Sequence, residues 1–247
     1  MYHFFIREEM ILDGTIVISG SDVNHIKNVL RMKSGEELML SDGLGTDYHC
    51  SIEEITDEEV YCRILDESGA LSESPVQFYL FQGLAKGDKL EHVIQKSVEL
   101  GVYEIIPVEM ARSVVRYDGK KQKAKQERWQ KIAESAAKQS RRGIIPEVKG
   151  VKSFKEAFAY AKEEALDLIL VPYENYKDMK ETKMTLQKIR PGMRVGIFVG
   201  PEGGFAPEEI AWAVQEGGIQ ISLGNRILRT ETAPLMLLSV LTFALEE

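Results

Sequence analysis

The strongest constraint on the fold is a series of mostly apolar, strand-like segments that alternate with helical patterns from Val76 onward. The predicted strands are Val76–Gln82, Val102–Val108, Leu166–Val171, Arg194–Val199 and Ile219–Leu223. The predicted helices run from Asp88 to Gly101, Gln122 to Arg141, Ser153 to Glu164, Pro207 to Gly217 and Thr232 to Glu246. Strands that are apolar along their length and separated by helices indicate an α/β domain, with a mostly parallel sheet covered on both faces.

The first 65 residues have a different pattern. Short β-prone runs are separated by turn signals such as Asp13-Gly14 and Asp42-Gly43, and they predict strands at Tyr2–Ile6, Thr15–Ser19, Glu37–Ser41, Asp47–Ile55 and Glu59–Leu65. One helix is expected among them, capped by Asp22, with Val23, Ile26, Val29 and Leu30 on one side. Many strands around one helix favour a small β-barrel. Asp66–Pro75 is polar and aperiodic and is predicted to be a linker, which gives domains at residues 1–70 and 76–247.

Composition excludes several classes of protein. With 247 residues, 44% of them hydrophobic, the chain is neither disordered nor fibrous. Two cysteines, Cys50 and Cys62, cannot build a disulfide framework, and the four histidines show no metal-ligand spacing, so we expect a cytoplasmic protein without a metal. Charge at Arg7 comes too early for a signal peptide. The apolar stretch Leu235–Leu245 is shorter than the roughly 20 residues of a membrane span, so no membrane partner is expected.

The charge is unevenly distributed. The chain has a net charge of -8, yet residues 112–142 alone carry +8 and the remainder carries -16. A concentrated basic block on an acidic body can bind phosphates, because local potential sets that attraction. A solvated, lysine-rich helix face fits the same pattern.

Three loops leave the carboxyl ends of predicted strands. They are Leu170–Glu174 (LVPYE), Gly200–Phe205 (GPEGGF) and Leu223–Ala233 (LGNRILRTETA). Open α/β sheets bind ligands at this edge, and three such loops converging there would form one pocket. Tight strand-to-helix turns, with arginines paired to surface carboxylates, remain the plainer interpretation.

Other familiar signatures are missing. No G-x-G-x-x-G follows a strand and no G-x-S-x-G is present, which disfavours a nicotinamide-dependent oxidoreductase and a hydrolase of the nucleophile-elbow type. The segment Gly83–Lys89 (GLAKGDK) is one residue too short between its glycines for a phosphate loop, and Asp88 precedes its lysine.

Together, the GPEGGF and LGNRILRTETA segments resemble the C-terminal signature of SPOUT-class RNA methyltransferases. The match is most specific to the bacterial family that methylates N3 of uracil in 16S rRNA, the RsmE family. Residues 25–31, 96–102 and 134–142 are similar to other blocks of that family. The resemblance implies a PUA-like RNA-binding barrel followed by a SPOUT α/β domain with a C-terminal trefoil knot. It also implies S-adenosylmethionine as cofactor, a homodimer, and 16S rRNA of the small ribosomal subunit as partner.

Residue by residue, the resemblance places the cofactor among the three loops. The implied cofactor residues are Val171, Pro172, Tyr173, Val199, Gly200, Glu202, Gly203, Gly204, Leu223, Gly224, Ile227 and Leu228. Backbone groups would bind the adenine edge, while Ile227 and Leu228 would pack on its face.

Methylation of uracil N3 requires loss of the N3 proton and stabilisation of the anion that develops. A cation in a water-poor site would stabilise that charge. We expect Arg229 in this role, with Arg226 as its rival and Glu231 orienting the arginine; no general base is evident. Contacts with RNA are expected from Arg7, Arg31, Arg112, Arg116, Gln139, Arg141 and Arg142.

Two alternatives remain open. One is a SPOUT methyltransferase that acts on another base or on a ribose 2′-hydroxyl. The other is a non-catalytic RNA-binding assembly factor, which would leave the two C-terminal loops unexplained.

Overall fold

The computed structural model describes residues 1–245 and divides the chain into two compact units. The first comprises Met1–Glu73 and Ala137–Ile145, and the second comprises Ser74–Ala136 and the residues from Pro146 on. This division differs from the prediction, which assigns all residues from 76 onward to the second domain. Residues 137–145 join the first unit because Glu73 pairs with Arg142 and accepts hydrogen bonds from the amides of Gly143 and Ile144 at 3.0 and 3.1 Å.

A six-stranded sheet forms the first unit. Its strands are β1 (Tyr2–Phe5), β2 (Ile11–Leu12), β3 (Thr15–Ser19), β4 (Glu37–Ser41), β5 (Thr46–Ile55) and β6 (Glu59–Gly69). They are ordered β1-β4-β5-β6-β3-β2, and all neighbours are antiparallel except β1 and β4. Inward residues from alternate positions, such as Ile16, Ile18, Leu38, Leu40 and Cys62, are fully buried, as expected of strands with one face on a core.

Two predictions for this unit need correction. The helix α1 (Ser21–Asn24) begins after Gly20, whose φ is +80°, and no side chain caps it, so Asp22 is not the cap. It continues as a π-helix over His25–Val29, whose wider turn leaves Val29 exposed while Ile26 stays buried. The predicted linker is also too long, because β6 extends through Gly69 by pairing with β5.

The second unit is an α/β domain built on a seven-stranded parallel sheet. Its strands are β7 (Gln77–Gly83), β8 (Val102–Glu109), β9 (Glu147–Val148), β10 (Lys152–Ser153), β11 (Leu168–Pro172), β12 (Arg194–Val199) and β13 (Ile219–Ile221). The order is β10-β8-β7-β12-β11-β13, with β9 beside β8, and every pairing is parallel. The helices are α2 (Lys89–Glu99), α3 (Gly119–Ser140), α4 (Phe154–Glu163), α5 (Met179–Leu186), α6 (Pro207–Gln215) and α7 (Ala233–Leu245).

Most of these elements were predicted, but the two-residue strands β9 and β10 and the helix α5 were not. Its sequence, MKETKMTL, has no apolar stripe, and the helix is fixed instead by Asp178, whose side chain accepts a hydrogen bond from the amide of Glu181 at 2.8 Å. The predicted end of the last helix at Glu246 lies outside the described residues.

Aromatic packing fixes the centre of the sheet. Phe81 on β7 and Phe198 on β12 stack with their ring centroids 4.1 Å apart, and Phe158 of α4 packs on Phe198. These rings are fully buried, so the middle strands of the sheet are held rigidly beneath the loops that follow them. No helix within residues 1–245 is long and apolar enough to span a bilayer.

The chain returns to the centre of this sheet after its edge strand β13. Thr230, which precedes α7, contacts both Gln82 at the end of β7 and Gly200 at the end of β12. The final segment therefore passes back from the edge to the middle, as the knotted C-terminus of the SPOUT fold requires.

Candidate functional site

A cleft of about 420 Å³ lies at the carboxyl ends of β11, β12 and β13. Its walls are the three loops that follow these strands, together with Lys89 from the start of α2. This position and size are those of a small-molecule site in an α/β protein.

The cleft brings together nearly all of the predicted cofactor and catalytic residues. Those that line it are Pro172, Tyr173, Val199, Gly200, Glu202, Gly203, Gly204, Leu223, Gly224, Arg226, Ile227, Leu228, Arg229 and Glu231. Val171 is the exception: its side chain is fully buried and packs toward Gly218 instead of lining the cleft. Val171 therefore supports the wall from behind.

Glycines are required in the loop that follows β12. Gly204 has a φ of +66°, a conformation that side chains disfavour. A Cβ on Gly200 would lie only 3.1–3.2 Å from the backbone of Gly204 and Phe205, so the loop folds closely on itself. Backbone groups can therefore approach a ligand here without obstruction from side chains.

A buried hydrogen-bond chain ties this loop to the returning C-terminal segment. Gln82 donates from Nε2 to Oγ1 of Thr230 at 2.9 Å, and that hydroxyl donates to the carbonyl oxygen of Gly200 at 2.7 Å. Thr230 is only 6% exposed and Gln82 is fully buried. The geometry of the cleft floor thus depends on contacts between β7, β12 and the segment before α7.

Lys89 is the cleft residue that sequence reasoning missed. Its ammonium lies 3.1 Å from Oε1 of Glu202 and 3.7 Å from Oε2 of Glu231, so it lies between the GPEGGF and RTETA segments. Burial alone would raise the pKa of Glu202, but hydrogen bonds from the amide of Lys86 and from Lys89 lower it overall. Glu202 is therefore an ionised carboxylate committed to these donors.

Glu231 differs from Glu202 because its Oε2 is buried and accepts no hydrogen bond. On its other oxygen, Nη1 of Arg229 lies 4.0 Å from Oε1, beyond hydrogen-bond distance. A buried carboxylate oxygen without a donor is costly, so the Glu231 carboxylate keeps unused capacity to accept a hydrogen bond in a cleft built for a ligand.

Arg229 and Ile227 stand at the open side of the cleft. The Arg229 side chain is 81% exposed and Ile227 is likewise 81% exposed, although an isoleucine in a loop ordinarily packs inward. An exposed aliphatic side chain beside an exposed cation suits a ligand with one flat apolar face and one anionic or polar edge.

The residues predicted to bind RNA are not equivalent in the structure. Arg7, Arg31, Gln139 and Arg141 are exposed on the first unit, and Arg112 and Arg116 are exposed on the second. Arg142 is only 3% exposed and its guanidinium is bonded to Glu73, so the expected phosphate contact by Arg142 is wrong. Its charge holds residues 137–145 on the first unit instead.

Part of the basic block is also used structurally. Lys125 and Arg128 of α3 both pair with Glu91 of α2, at 3.5 and 2.7 Å. Arg112 donates from Nη1 to the carbonyl oxygen of Gly203 at 3.0 Å, and it thereby braces the glycine loop of the cleft. Within residues 1–245, no group of three His, Cys, Asp or Glu side chains could hold a metal ion.

Comparison with known proteins identifies the family of both domains. The profile of the RNA methyltransferase domain family matches residues 72–242, and that of the RNA methyltransferase PUA domain matches residues 18–65. The Ribosomal RNA small subunit methyltransferase E of Bacillus subtilis is 38% identical over all of this chain and 98% of its own length.

Solved structures give the same result. The Ribosomal RNA small subunit methyltransferase E of Neisseria gonorrhoeae, bound to S-adenosyl methionine, is 33% identical with a TM-score of 0.79, covering 99% of this chain and 98% of its own. A methyltransferase of Legionella pneumophila in complex with the same cofactor is also 33% identical, with a TM-score of 0.78 over 98% of this chain and 97% of its own. The predicted fold class, a PUA-like barrel followed by a SPOUT-type α/β methyltransferase domain, is confirmed. With this coverage of both domains and of the cleft, the chain belongs to the ribosomal RNA small subunit methyltransferase E family.

Proposed function

We propose that this protein uses S-adenosylmethionine to methylate N3 of a uridine in the 16S rRNA of the small ribosomal subunit. The observation that supports it most is the cleft, in which the loops after three neighbouring strands meet beneath a returning C-terminal segment. The family relationship indicates which reaction such a cleft serves.

The residues of the cleft fit the cofactor. The glycine loop places the backbone of Gly200, Gly203 and Gly204 along the cleft wall for contact with the adenine edge, and exposed Ile227 with Leu228 offers an apolar surface to its face. When bound, the cofactor supplies an electrophilic methyl group on a sulfonium.

The task left to the protein is to prepare N3, because its proton must leave and its lone pair is delocalised into the neighbouring carbonyls. Holding the base against the methyl group removes the entropy of encounter, which contributes several kcal/mol of the roughly 7–11 kcal/mol that ideal placement can supply. Arg229 and Arg226 line the cleft and are the proposed cations for the charge that develops on O2 or O4.

RNA would be held by the exposed arginines Arg7, Arg31, Arg112, Arg116 and Arg141, with exposed Gln139 as a neutral hydrogen-bonding partner. Each phosphate that they neutralise contributes a slope of about -0.7 to log affinity against log salt. Several such contacts would make binding strongly dependent on salt.

A homodimer is the proposed assembly. Helix α7 is mostly apolar, and it buries Leu237, Leu238 and Leu241 while leaving Val240 46% and Phe243 91% exposed. A second copy of the chain would cover this exposed apolar face. Replacement of Phe243 by Glu should shift the mass measured by light scattering from two chains to one.

The central test is transfer of labelled methyl groups from the cofactor to small ribosomal subunits that lack the modification. Digestion of the product RNA to nucleosides should show label in N3-methyluridine. Label in another base or in a ribose would indicate a different SPOUT activity, and cofactor binding without transfer to any RNA would indicate an assembly factor.

A further inference from the structure

The carboxylates of the cleft differ in how many hydrogen-bond donors they already have. Glu202 already accepts hydrogen bonds from the Lys86 amide at 2.9 Å and from Lys89 at 3.1 Å. Glu174, which also lines the cleft, is exposed to solvent. Glu231 is mostly buried, with 21% of its side-chain surface exposed, and its Oε2 has no donor.

Charges surround Glu231 from two sides. Lys89, from α2, faces its buried Oε2 at 3.7 Å, and Arg229, from its own segment, faces Oε1 at 4.0 Å. Glu202 fixes Lys89 from the far side at 3.1 Å. Arg226 and Glu174 are the remaining charged groups that line the cleft. The carboxylate is thus held between two cations without being committed to a hydrogen bond with either.

Uracil presents a complementary edge. Its N3–H is a single donor flanked by the acceptors O2 and O4, and the cleft offers an acceptor, Glu231, flanked by the donors Lys89 and Arg229. Because Oε2 is buried, Oε1 is the carboxylate oxygen that remains for a base in the cleft.

Building on the function proposed above, we infer that Glu231 is the catalytic base that removes the N3 proton, and that Lys89 is its positioning residue. In this step the N3–H bond breaks and the proton passes to a carboxylate oxygen of Glu231. The N3 lone pair that remains forms the bond to the methyl carbon as the bond from that carbon to sulfur breaks. The sulfonium and the carboxylate each lose their charge, so a neutral thioether, a neutral methylated base and a neutral carboxylic acid result.

The same arrangement selects uracil. Cytosine carries a lone pair at N3 where uracil has a proton, so it would place an acceptor against the carboxylate of Glu231. In a mostly buried site, neither N3 of cytosine nor the carboxylate of Glu231 could donate a hydrogen bond to the other. This mismatch would discriminate strongly against cytosine.

The test uses the full-length protein with subunits that lack the modification, and it measures single-turnover formation of N3-methyluridine across a range of pH. Glu231→Gln keeps the shape of the side chain and removes the base, so its rate at neutral pH should fall about 10²–10⁴-fold. The rate of this variant should then rise about tenfold per pH unit as the solvent takes over removal of the proton, which loss of a structural contact would not produce. Calorimetric titration should show affinity for S-adenosylmethionine within a few-fold of wild type.

Three companion variants sharpen the result. Lys89→Met should lower the rate while leaving cofactor affinity nearly unchanged, and Lys89→Arg should restore much of it. Lys86→Met is the matched control, since the side chain of Lys86 is exposed and only its amide contacts Glu202. Glu174→Gln changes the other uncommitted carboxylate and should keep the pH profile of the wild type.

Several outcomes would overturn the inference. They are a wild-type pH profile in Glu231→Gln, a loss of cofactor binding in that variant, or recovery at high pH in Glu174→Gln instead. A wild-type protein that forms no N3-methyluridine would overturn the proposed function itself, and the role of Glu231 would fall with it.

Discussion

At the end of the parallel sheet where the strands begin (the beginning end), the charged groups of Arg194 and Glu104 have hydrogen-bond partners, whereas at the end where the strands finish (the finishing end) Glu231 has a buried oxygen without one. Arg194, the first residue of β12, donates from Nε to Gln77 at 3.0 Å, and its amide donates to Asp167 at 2.8 Å. At the other end, the buried Oε2 of Glu231 accepts no hydrogen bond.

Glu104 and Glu231 show the contrast most directly. Glu104, near the start of β8, is 6% exposed and accepts a hydrogen bond from the hydroxyl of Tyr160 at 2.7 Å, with Lys149 3.3 Å away. Glu231 is also mostly enclosed, but its two cations lie at 3.7 and 4.0 Å. The difference shows that burial of a carboxylate alone does not indicate a functional site. A buried carboxylate oxygen that accepts no hydrogen bond does indicate one.

The comparison predicts that changes that displace the loops at the finishing end reduce cofactor affinity, whereas changes at the beginning end reduce only stability. The largest effect is expected for Gly83→Ala. A Cβ there would lie 2.5 Å from the nitrogen of Pro201 and 2.9 Å from the carbonyl carbon of Gly200, and these backbone atoms can move only with the whole loop. Affinity for S-adenosylmethionine should fall by about 100-fold or more, equivalent to about 2.7 kcal/mol.

Calorimetric titration measures this change, and Gly119→Ala is the matched control. Gly119 begins α3, and a Cβ added to it would have no other atom within 4 Å, so its replacement should leave binding unchanged. Equal affinity in the two variants would show that the loop tolerates displacement.

The next effect concerns Thr230→Val, which keeps the shape and removes the hydroxyl that joins Gln82 to Gly200. Two buried groups lose a partner, so we expect about 2–3 kcal/mol of destabilisation and about tenfold weaker cofactor binding. Urea unfolding and titration measure the two quantities, and Thr230→Ser should recover both. Equal stability and equal cofactor affinity in Thr230→Val and Thr230→Ser would show that the hydroxyl does not hold the loop.

A matched change at the beginning end is Glu104→Ala. It leaves Tyr160 and Lys149 without their acceptor, and stability should fall by about 2–3 kcal/mol. Cofactor affinity at a temperature where the variant is folded should equal that of the wild type. A tenfold loss of affinity would mean that the two ends of the sheet are coupled.

The sequence was sufficient to predict the three loops, because each follows an apolar strand and carries glycine, proline or capping residues. It was not sufficient to predict Lys89, whose partner Glu202 is 113 residues away and reaches it only because β7 and β12 pair in parallel. Its segment, Gly83–Lys89, lacks the spacing of a phosphate loop, yet it too leaves the carboxyl end of a strand, and that position is the signal that could have identified it.

The basic residues illustrate a second limit. Composition identified the basic block correctly, but it could not separate exposed Arg141 from its neighbour Arg142, which is buried against Glu73. Glu73 lies in the segment predicted to be a linker, where no periodicity indicates a partner. Likewise, the π-turn at His25–Val29 shifts the helical register in a way that no single-sequence pattern specifies.

The smallest predicted effect is a difference in how stability depends on pH. Burial raises the pKa of Glu104 above its ordinary value of 4.5, against the opposing influence of Tyr160 and Lys149. The pKa of Glu202 is lowered below 4.5 by its hydrogen bonds, which outweigh its partial burial. The folded state therefore binds the proton of Glu104 more tightly than the unfolded chain does, and that of Glu202 less tightly.

The two shifts predict that Glu104 and Glu202 contribute to the free energy of unfolding with opposite dependence on pH. The contribution of Glu104 to the free energy of unfolding is fully present below its ordinary pKa and is lost as pH rises through its raised pKa. Over that interval the wild type loses stability and Glu104→Gln does not, so the variant should become more stable relative to the wild type. The contribution of Glu202 is present above its ordinary pKa and is lost as pH falls through its lowered pKa, so the cost of Glu202→Gln should shrink in acid. Urea unfolding of the three proteins at several pH values measures both differences. The free energy of unfolding of each variant relative to wild type should therefore change with pH in opposite directions. A change in the same direction would contradict the comparison, because ionisation of Glu202 favours the folded state only if its hydrogen-bond donors are in place.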